Sequence, residues 1–240
     1  MRTRTPVLFA MAVLAASLAA AADLPAQAPG ATALDALRRA ELMSARRSWD
    51  AAIAAYEEAI AASPSDAALR NRLGICYQSK GDTKAARAAY KKALDLRKDY
   101  AEPWNNLGTL DHARGKYKQA ISAYGKAIKL NPQAAVFHKN LGAVWLARGD
   151  MEKALEAWSE ALRLDPAGFE TDAIGVPAAG VAPAQQYYLY AKLLAARGET
   201  EKALEYLAKA HAAGFNDFRK VERDGDFASL VVDPRYAALK

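Results

Sequence analysis

The residues best suited to chemistry in this sequence are side-chain amides that recur at a fixed interval. Asn105 and Asn106 precede Leu-Gly in WNNLG (104–108), and the related pentapeptides RNRLG (70–74) and HKNLG (138–142) lie 34 residues before and after it. An asparagine amide both donates and accepts hydrogen bonds, so it can match the N–H and the C=O of an extended peptide backbone. Asparagine is also a poor helix former. A repeated polar pair in helical surroundings is therefore a candidate binding feature.

The other reactive residue types do not form a catalytic or metal-binding pattern. The histidines His112, His138 and His211 show no metal-ligand spacing such as HExxH. No Ser/His/Asp or Cys/His set can be argued, and no glycine-rich phosphate loop follows a strand. Cys76 is the single cysteine, so it cannot close an internal disulfide, and we interpret it as a buried apolar residue. The sequence predicts a protein that is not an enzyme and has no metal or cofactor.

The composition is that of a globular, all-α protein. The chain has 240 residues, of which 52% are hydrophobic and 25% charged, and few stretches alternate as strands do. The formal net charge is +6. This excess is modest and scattered, with no Lys/Arg block, which argues against a nucleic-acid partner.

The first residues have the pattern of a secretory signal peptide. Arg2 and Arg4 precede an uncharged run from Pro6 to Ala22, which ends in small residues with an A-x-A exit. The run is short and alanine-rich compared with a spanning helix, which favours cleavage after Ala22 over an uncleaved membrane anchor. We therefore expect a periplasmic or secreted protein, from a Gram-negative bacterium. Membrane attachment is expected only if the signal is uncleaved.

A 34-residue period organises the chain from Ala33 to Pro166 and returns in a fifth copy from Ala184. Copies starting at Ala33, Ala67, Ala101 and Ala135 carry a small residue at position eight, alanine at position twenty and an aromatic residue at position twenty-four. The aromatic residues are Tyr56, Tyr90, Tyr124 and Trp158, and the last three copies have glycine at position fifteen, namely Gly81, Gly115 and Gly149. This pattern resembles the tetratricopeptide repeat family, whose units are helix–turn–helix hairpins of 34 residues. Small residues let two helices approach closely, and the aromatic ring fills the space beside them.

The resemblance implies an all-α, right-handed α-solenoid of about five helix–turn–helix repeats with a C-terminal helical cap. We expect glycine at position fifteen to be left-handed and Asp82, Asp150 and Asp233 to be N-caps. The first copy is degenerate, with Arg47 at the glycine position. The predicted organisation is a signal peptide (1–22), a linker (23–32), four repeats (33–168), an Ala/Gly/Pro-rich loop (169–183), a fifth repeat (184–217) and the cap (218–240).

The resemblance also implies a binding groove. In this family the first helix of each repeat lines the concave face, and positions two, five, six, nine and twelve or thirteen of that helix tend to face the groove. The candidate groove residues at positions five and six are Arg38, Asn71, Arg72, Asn105, Asn106, Lys139 and Asn140. Successive asparagines at position six resemble the ladder with which some family members hold peptides by the main chain. Here two rungs match, Asn106 and Asn140.

The expected partner is a protein or an extended peptide segment, and the arginines at position six favour an acidic or C-terminal segment. We expect alanine at Asn106 and Asn140 to weaken binding with little loss of stability. The carboxylate clamp for chaperone tails, another mode of the family, matches only at Asn106 and is rejected. Two alternatives stay open: the asparagines are merely solvated polar residues, or the chain is a self-assembling structural subunit that forms homo-oligomers.

Overall fold

The computed structural model describes residues 29–166 and 182–240, and the regular structure of these residues is entirely helical. The α-helices are Pro29–Ala45 (α1), Trp49–Ala62 (α2), Ala67–Lys80 (α3), Thr83–Leu96 (α4), Ala101–His112 (α5), Tyr117–Leu130 (α6), Ala135–Ala147 (α7), Met151–Leu164 (α8), Pro183–Ala196 (α9), Thr200–Ala212 (α10), Phe218–Arg223 (α11), Ala228–Val231 (α12) and Pro234–Ala237 (α13). A short 3-10 turn, Gly225–Phe227, lies between α11 and α12. No helix in this described part is long and apolar enough to span a bilayer.

The helices form consecutive hairpins, as expected for an α-solenoid. Helices α1 and α2, α3 and α4, α5 and α6, α7 and α8, and α9 and α10 pack in pairs. The second helix of each of the first three hairpins also packs on the first helix of the next, and the first helices α3, α5 and α7 contact one another in series. The prediction of an all-α repeat fold is confirmed.

The second, third and fourth hairpins each close around one contact between a glycine and an aromatic ring. A Cβ added to Gly142 would lie 2.4 Å from the Trp158 ring, and one added to Gly74 would lie 2.5 Å from the Tyr90 ring. Any larger residue at position eight would therefore have to displace the ring across from it. The buried Trp158 Nε1 donates to the Lys139 carbonyl at 3.0 Å. The contact between glycine and ring sets the separation of the two helices in these three repeats.

The turns between paired helices adopt the predicted left-handed conformation. Gly81, at position fifteen, has a φ of 93°, and its counterparts Gly115, Gly149 and Gly198 are also left-handed. Arg47 has a φ of 57° at the same position of the first repeat, which is unfavourable for a residue with a side chain. The predicted N-caps are confirmed: the carboxylates of Asp82, Asp150 and Asp233 accept from backbone N–H groups of α4, α8 and α13.

Two predicted boundaries differ from the structure. The signal peptide (1–22) and residues 23–28 of the predicted linker lie outside the described residues. Residues 29–32 are helical, because α1 begins at Pro29 and proline is tolerated in a first helical turn. Residues 169–181 of the predicted loop also lie outside the described residues. Helix α9 begins at Pro183, which the sequence predicts as the last residue of that loop.

The fifth hairpin packs directly on the fourth, and the C-terminal segment covers its far side. The rings of Trp158 and Tyr190 have centroids 4.6 Å apart, which joins α8 to α9. The buried side chains of the C-terminal segment are Val221, Phe227, Leu230 and Tyr236, all in the core cluster of this last hairpin. The ammonium of Lys192 on α9 pairs with Asp224 and, at 2.8 Å, with Asp226. The short helices thus remove the last repeat's apolar face from water.

Candidate binding site

The recurring asparagines lie on the three first helices at the centre of the repeat array. Asn71 is on α3, Asn105 and Asn106 are on α5, and Asn140 is on α7. Because α3, α5 and α7 stack side by side, residues that are 34 or 35 apart in sequence become neighbours. The fold therefore brings these four asparagines into one row.

The four asparagines are joined by hydrogen bonds that cross from helix to helix. Asn106 Nδ2 donates to Asn71 Oδ1 at 3.0 Å, and Asn140 Nδ2 donates to Asn105 Oδ1 at 2.8 Å. Within α5, Asn105 Nδ2 donates to Asn106 Oδ1 at 3.3 Å. We call this row, Asn71–Asn106–Asn105–Asn140, the asparagine network. It connects three consecutive repeats through side-chain amides.

One end of the network reaches a tyrosine. The Tyr100 side chain, just before α5, lies close enough to the Asn71 amide for that amide to lower the pKa of Tyr100. Burial is the larger effect and raises this pKa above its ordinary value. Tyr100 therefore stays a neutral phenol beside the Asn71 end of the network.

The expectation that both members of each pair are open to a ligand is wrong for position five. Asn71 is 5% exposed and Asn105 is 9% exposed. Adjacent helical residues point about 100° apart, so position five faces the neighbouring first helix while position six lies nearer the open surface. The same burial argues against the expectation that alanine at Asn106 and Asn140 brings little loss of stability. Each substitution removes the donor to a buried asparagine oxygen.

The arginines predicted to attract an acidic ligand already have partners. The Arg72 guanidinium pairs with Glu41 of α1. Arg38 lies 3.9 Å from Asp35 within α1. Lys139 is half-buried and also takes part in a contact within the chain. These three residues are therefore weaker candidates for ligand binding than the sequence indicated.

The network leaves hydrogen-bonding capacity on its open side. Asn140 Oδ1 has no hydrogen-bond partner among the described residues, and Asn106 and Asn140 each use one of their two amide hydrogens. The asparagine network therefore satisfies the amide groups that lie between the helices. Its two half-buried residues, Asn106 and Asn140, keep one acceptor oxygen and two donor hydrogens free for a ligand. This is the complement of a peptide main chain.

Two exposed apolar side chains on the same first helices were missed as site residues. Ile75, at position nine of its repeat, is 43% exposed, and Val136, at position two, is 47% exposed. The resemblance places positions two and nine in the groove, so an apolar residue at either position could have identified these two side chains from the sequence. Together with Asn106 and Asn140 they give the first helices both apolar and hydrogen-bonding contacts.

The described residues contain no group of three or more His, Cys, Asp and Glu that could hold a metal ion. Burial raises the pKa of the Cys76 thiol, whose sulfur is 3.3 Å from Ser44 Oγ. A buried thiol with a raised pKa is a poor nucleophile at neutral pH. His112 is also buried, and burial lowers its pKa.

Comparisons with known proteins agree with this architecture. A family model described as "Tetratricopeptide repeat" matches residues 67–133, and a second model of that description matches residues 105–169. No curated protein matches the chain.

Several solved structures share the fold. The pilF protein of Pseudomonas aeruginosa is 22% identical with a TM-score of 0.59, over 88% of this chain and 89% of that chain. MamA from Desulfovibrio magneticus RS-1 is 19% identical with a TM-score of 0.55, over 82% of this chain and all (100%) of that chain. YrrB, described as a TPR protein with an unusual peptide-binding site, is 23% identical with a TM-score of 0.50, over 79% of this chain and 90% of that chain.

Proposed function

We propose that this chain is a non-enzymatic scaffold that binds an extended segment of a partner protein along the first helices of its repeats. The matches of tetratricopeptide repeat models to residues 67–133 and 105–169 support this proposal. The observation that carries the proposal is the unpaired Asn140 oxygen beside exposed Val136 on α7. A peptide main chain supplies the N–H that this oxygen needs, and its side chains can cover the apolar residues. The peptide-binding site named for YrrB supports the same use of the fold.

The role of the asparagine network in this proposal is positioning. Asn71 and Asn105 hold the amides of Asn106 and Asn140 in fixed orientations. A side chain that is already ordered loses less conformational entropy when it binds a ligand. The ligand therefore meets a row of amides whose orientation was fixed on folding.

The test uses two valines that differ in location. Val136 lies in the proposed groove, whereas Val232 lies in the C-terminal segment and is 80% exposed. Peptides selected from a random phage-displayed library on the purified protein are titrated by fluorescence anisotropy. Val136→Ser is expected to weaken their binding by about 5- to 10-fold, because a contact of one or two methyl groups is lost. Val232→Ser is the matched control and should leave binding unchanged.

The groove is excluded as the binding site if the selected peptides bind both variants as tightly as the wild type. Equal weakening by the two substitutions would also exclude it. Thermal melts of both variants confirm that neither change unfolds the chain, as expected for exposed positions.

We also propose that the scaffold works in the cell envelope after export. This rests on the basic start, the apolar run and the A-x-A exit of residues 1–22. Mass spectrometry of the protein from its native cells should find a mature chain beginning at Asp23. An intact Met1 on membrane-bound protein would instead establish an uncleaved anchor.

A further inference from the structure

Three clefts recur along the side of the array that is formed by the second helices. They lie between α2 and α4, between α4 and α6, and between α6 and α8, with volumes of about 610, 470 and 570 Å³. The first helix α5 forms the floor of the middle cleft through Trp104, Leu107 and Asp111. These residues are three and four apart and share one face of α5, while Asn105 and Asn106 lie on the other side. The clefts are therefore separate from the proposed groove.

The middle cleft has basic side chains on both walls. Lys91 extends from α4, and Lys118 and Lys126 extend from α6. All three are exposed, and none forms an ion pair within the described part of the chain. The fourth cation, Arg87, is neutralised by Asp111 at 2.5 Å. We call Lys91, Lys118 and Lys126, together with the Trp104 floor, the basic cleft.

The helices around the basic cleft add to its positive charge. The basic residues of α4 and α6 are Lys84, Arg87, Lys91, Lys92, Lys118, Lys126 and Lys129, and their one acidic residue is Asp95. The sequence shows no Lys/Arg block because these residues come from two helices about 34 residues apart. Packing α4 beside α6 gathers them into one positive surface.

This charge is particular to the middle cleft and is not required by the repeat fold. Position twenty-five is Lys91 here but Glu57 in the wall of the first cleft. Position twenty-six is Lys126 here but Glu160 in the wall of the third. Since the same helix positions accept glutamate in neighbouring repeats, folding does not require lysine at either of them.

The floor of the basic cleft is apolar and aromatic. Lys126 Nζ lies 4.1 Å from the centroid of the Trp104 ring, which is half-buried, and Leu107 and Ala123 line the same recess. Such a recess accepts an apolar side chain, while the lysines around it accept carboxylates. Duplex DNA and a flat lipid surface offer no side chain that would fill it.

We propose that the basic cleft is a second docking site, which binds an acidic peptide segment of a partner protein with one apolar side chain between its carboxylates. The apolar side chain enters the recess that Trp104, Leu107 and Ala123 line, beside the ammonium that lies over the Trp104 ring. The flanking carboxylates pair with Lys91, Lys118 and Lys126. A scaffold with this site holds two partner segments on opposite sides of its first helices.

The test measures binding of a fluorescein-labelled peptide in which glutamates flank a central leucine, by anisotropy at low ionic strength. Lys91→Glu/Lys126→Glu introduces glutamate at two positions where another repeat already has it, as Glu57 and Glu160 show. The variant is therefore expected to fold. This variant should bind the peptide at least about tenfold more weakly. Arg219→Glu/Arg223→Glu on α11 is the control, because it changes the net charge equally and should bind as the wild type does.

Further arms separate the cleft from a general attraction between charges. Replacing the central leucine of the peptide by serine should also weaken binding, and Val136→Ser should have no effect on it. The proposal is overturned if both double variants weaken binding equally, if the serine peptide binds as well as the leucine peptide, or if no binding is seen. It is also overturned if phosphatidylserine vesicles or duplex DNA bind more tightly than the peptide. Lys91→Ala/Lys126→Ala replaces the glutamate variant should that variant melt early.

Discussion

Asn106 Nδ2 donates to Asn71 Oδ1 at 3.0 Å, across the boundary between two repeats. Asn71 is buried, so this bond satisfies an oxygen that would otherwise have lost its water without gaining a partner. The polar pair before Leu-Gly therefore has a structural role between repeats. Its use in binding is limited to the atoms that the network leaves open.

Asn106→Ala is expected to lower the free energy of unfolding by about 1–3 kcal/mol, because it leaves the buried Asn71 oxygen without a donor. Chemical denaturation measures this change. Arg38→Ala is the control at the same repeat position and should change stability by less than about 0.5 kcal/mol, since Arg38 is exposed. Asn71→Leu/Asn106→Ala should recover part of the loss, because Leu37 already occupies position five in the first repeat. A stable Asn106→Ala protein would contradict a structural role for the network.

Gly142→Ala is expected to destabilise the chain by about 1–3 kcal/mol through overpacking. The new Cβ would lie 2.4 Å from Trp158, which must move and strain its hydrogen bond to the Lys139 carbonyl. Gly125 in α6 is the matched control, because nothing lies within 4 Å of a Cβ added there. Gly125→Ala should stabilise by up to about 1 kcal/mol through helix propensity. Thermal melts that move in the same direction for both variants would refute the contact.

Arg47→Gly is expected to stabilise the chain by about 0.5–1 kcal/mol. Arg47 has a φ of 57°, and relief of this left-handed strain is worth about 1–2 kcal/mol, partly offset by the greater freedom of glycine when unfolded. Arg46→Gly, one residue earlier in the same turn, has no such strain to relieve and should be neutral or destabilising. Equal changes in the unfolding midpoints of the two variants would rule out strain at Arg47.

The stability of the chain is expected to decrease as the pH is lowered, because of His112. Burial lowers the pKa of this ring from its ordinary value of 6.5, and Nε2 has no partner among the described residues. As pH falls below about 6.5 the unfolded chain binds a proton that the folded chain resists, so the free energy of unfolding decreases. Urea denaturation between about pH 7.5 and pH 5.5 should show a smaller decrease for His112→Phe than for the wild type. An unchanged slope in the variant would place the pH dependence elsewhere.

The sequence by itself determined the repeat and its internal contacts. The 34-residue period, the Gly142–Trp158 type of contact, the glycine turns and the aspartate caps were all predictable, because each depends on residues within one hairpin. Local rules of helix capping, left-handed turns and close helix approach apply to such contacts directly. The same rules gave the position of the asparagines on the first helices.

Only the tertiary structure decided how neighbouring repeats use their polar side chains. Burial of Asn71 and Asn105, the pairing of Arg72 with Glu41, and the meeting of Lys91 with Lys126 all cross a boundary between repeats. These contacts depend on the rotation and separation of one hairpin relative to the next. Periodicity fixes which residues are equivalent but not this geometry, because many relative placements of two hairpins bury similar apolar area. The packing of the array selects one of them, and with it the amides and lysines that remain open.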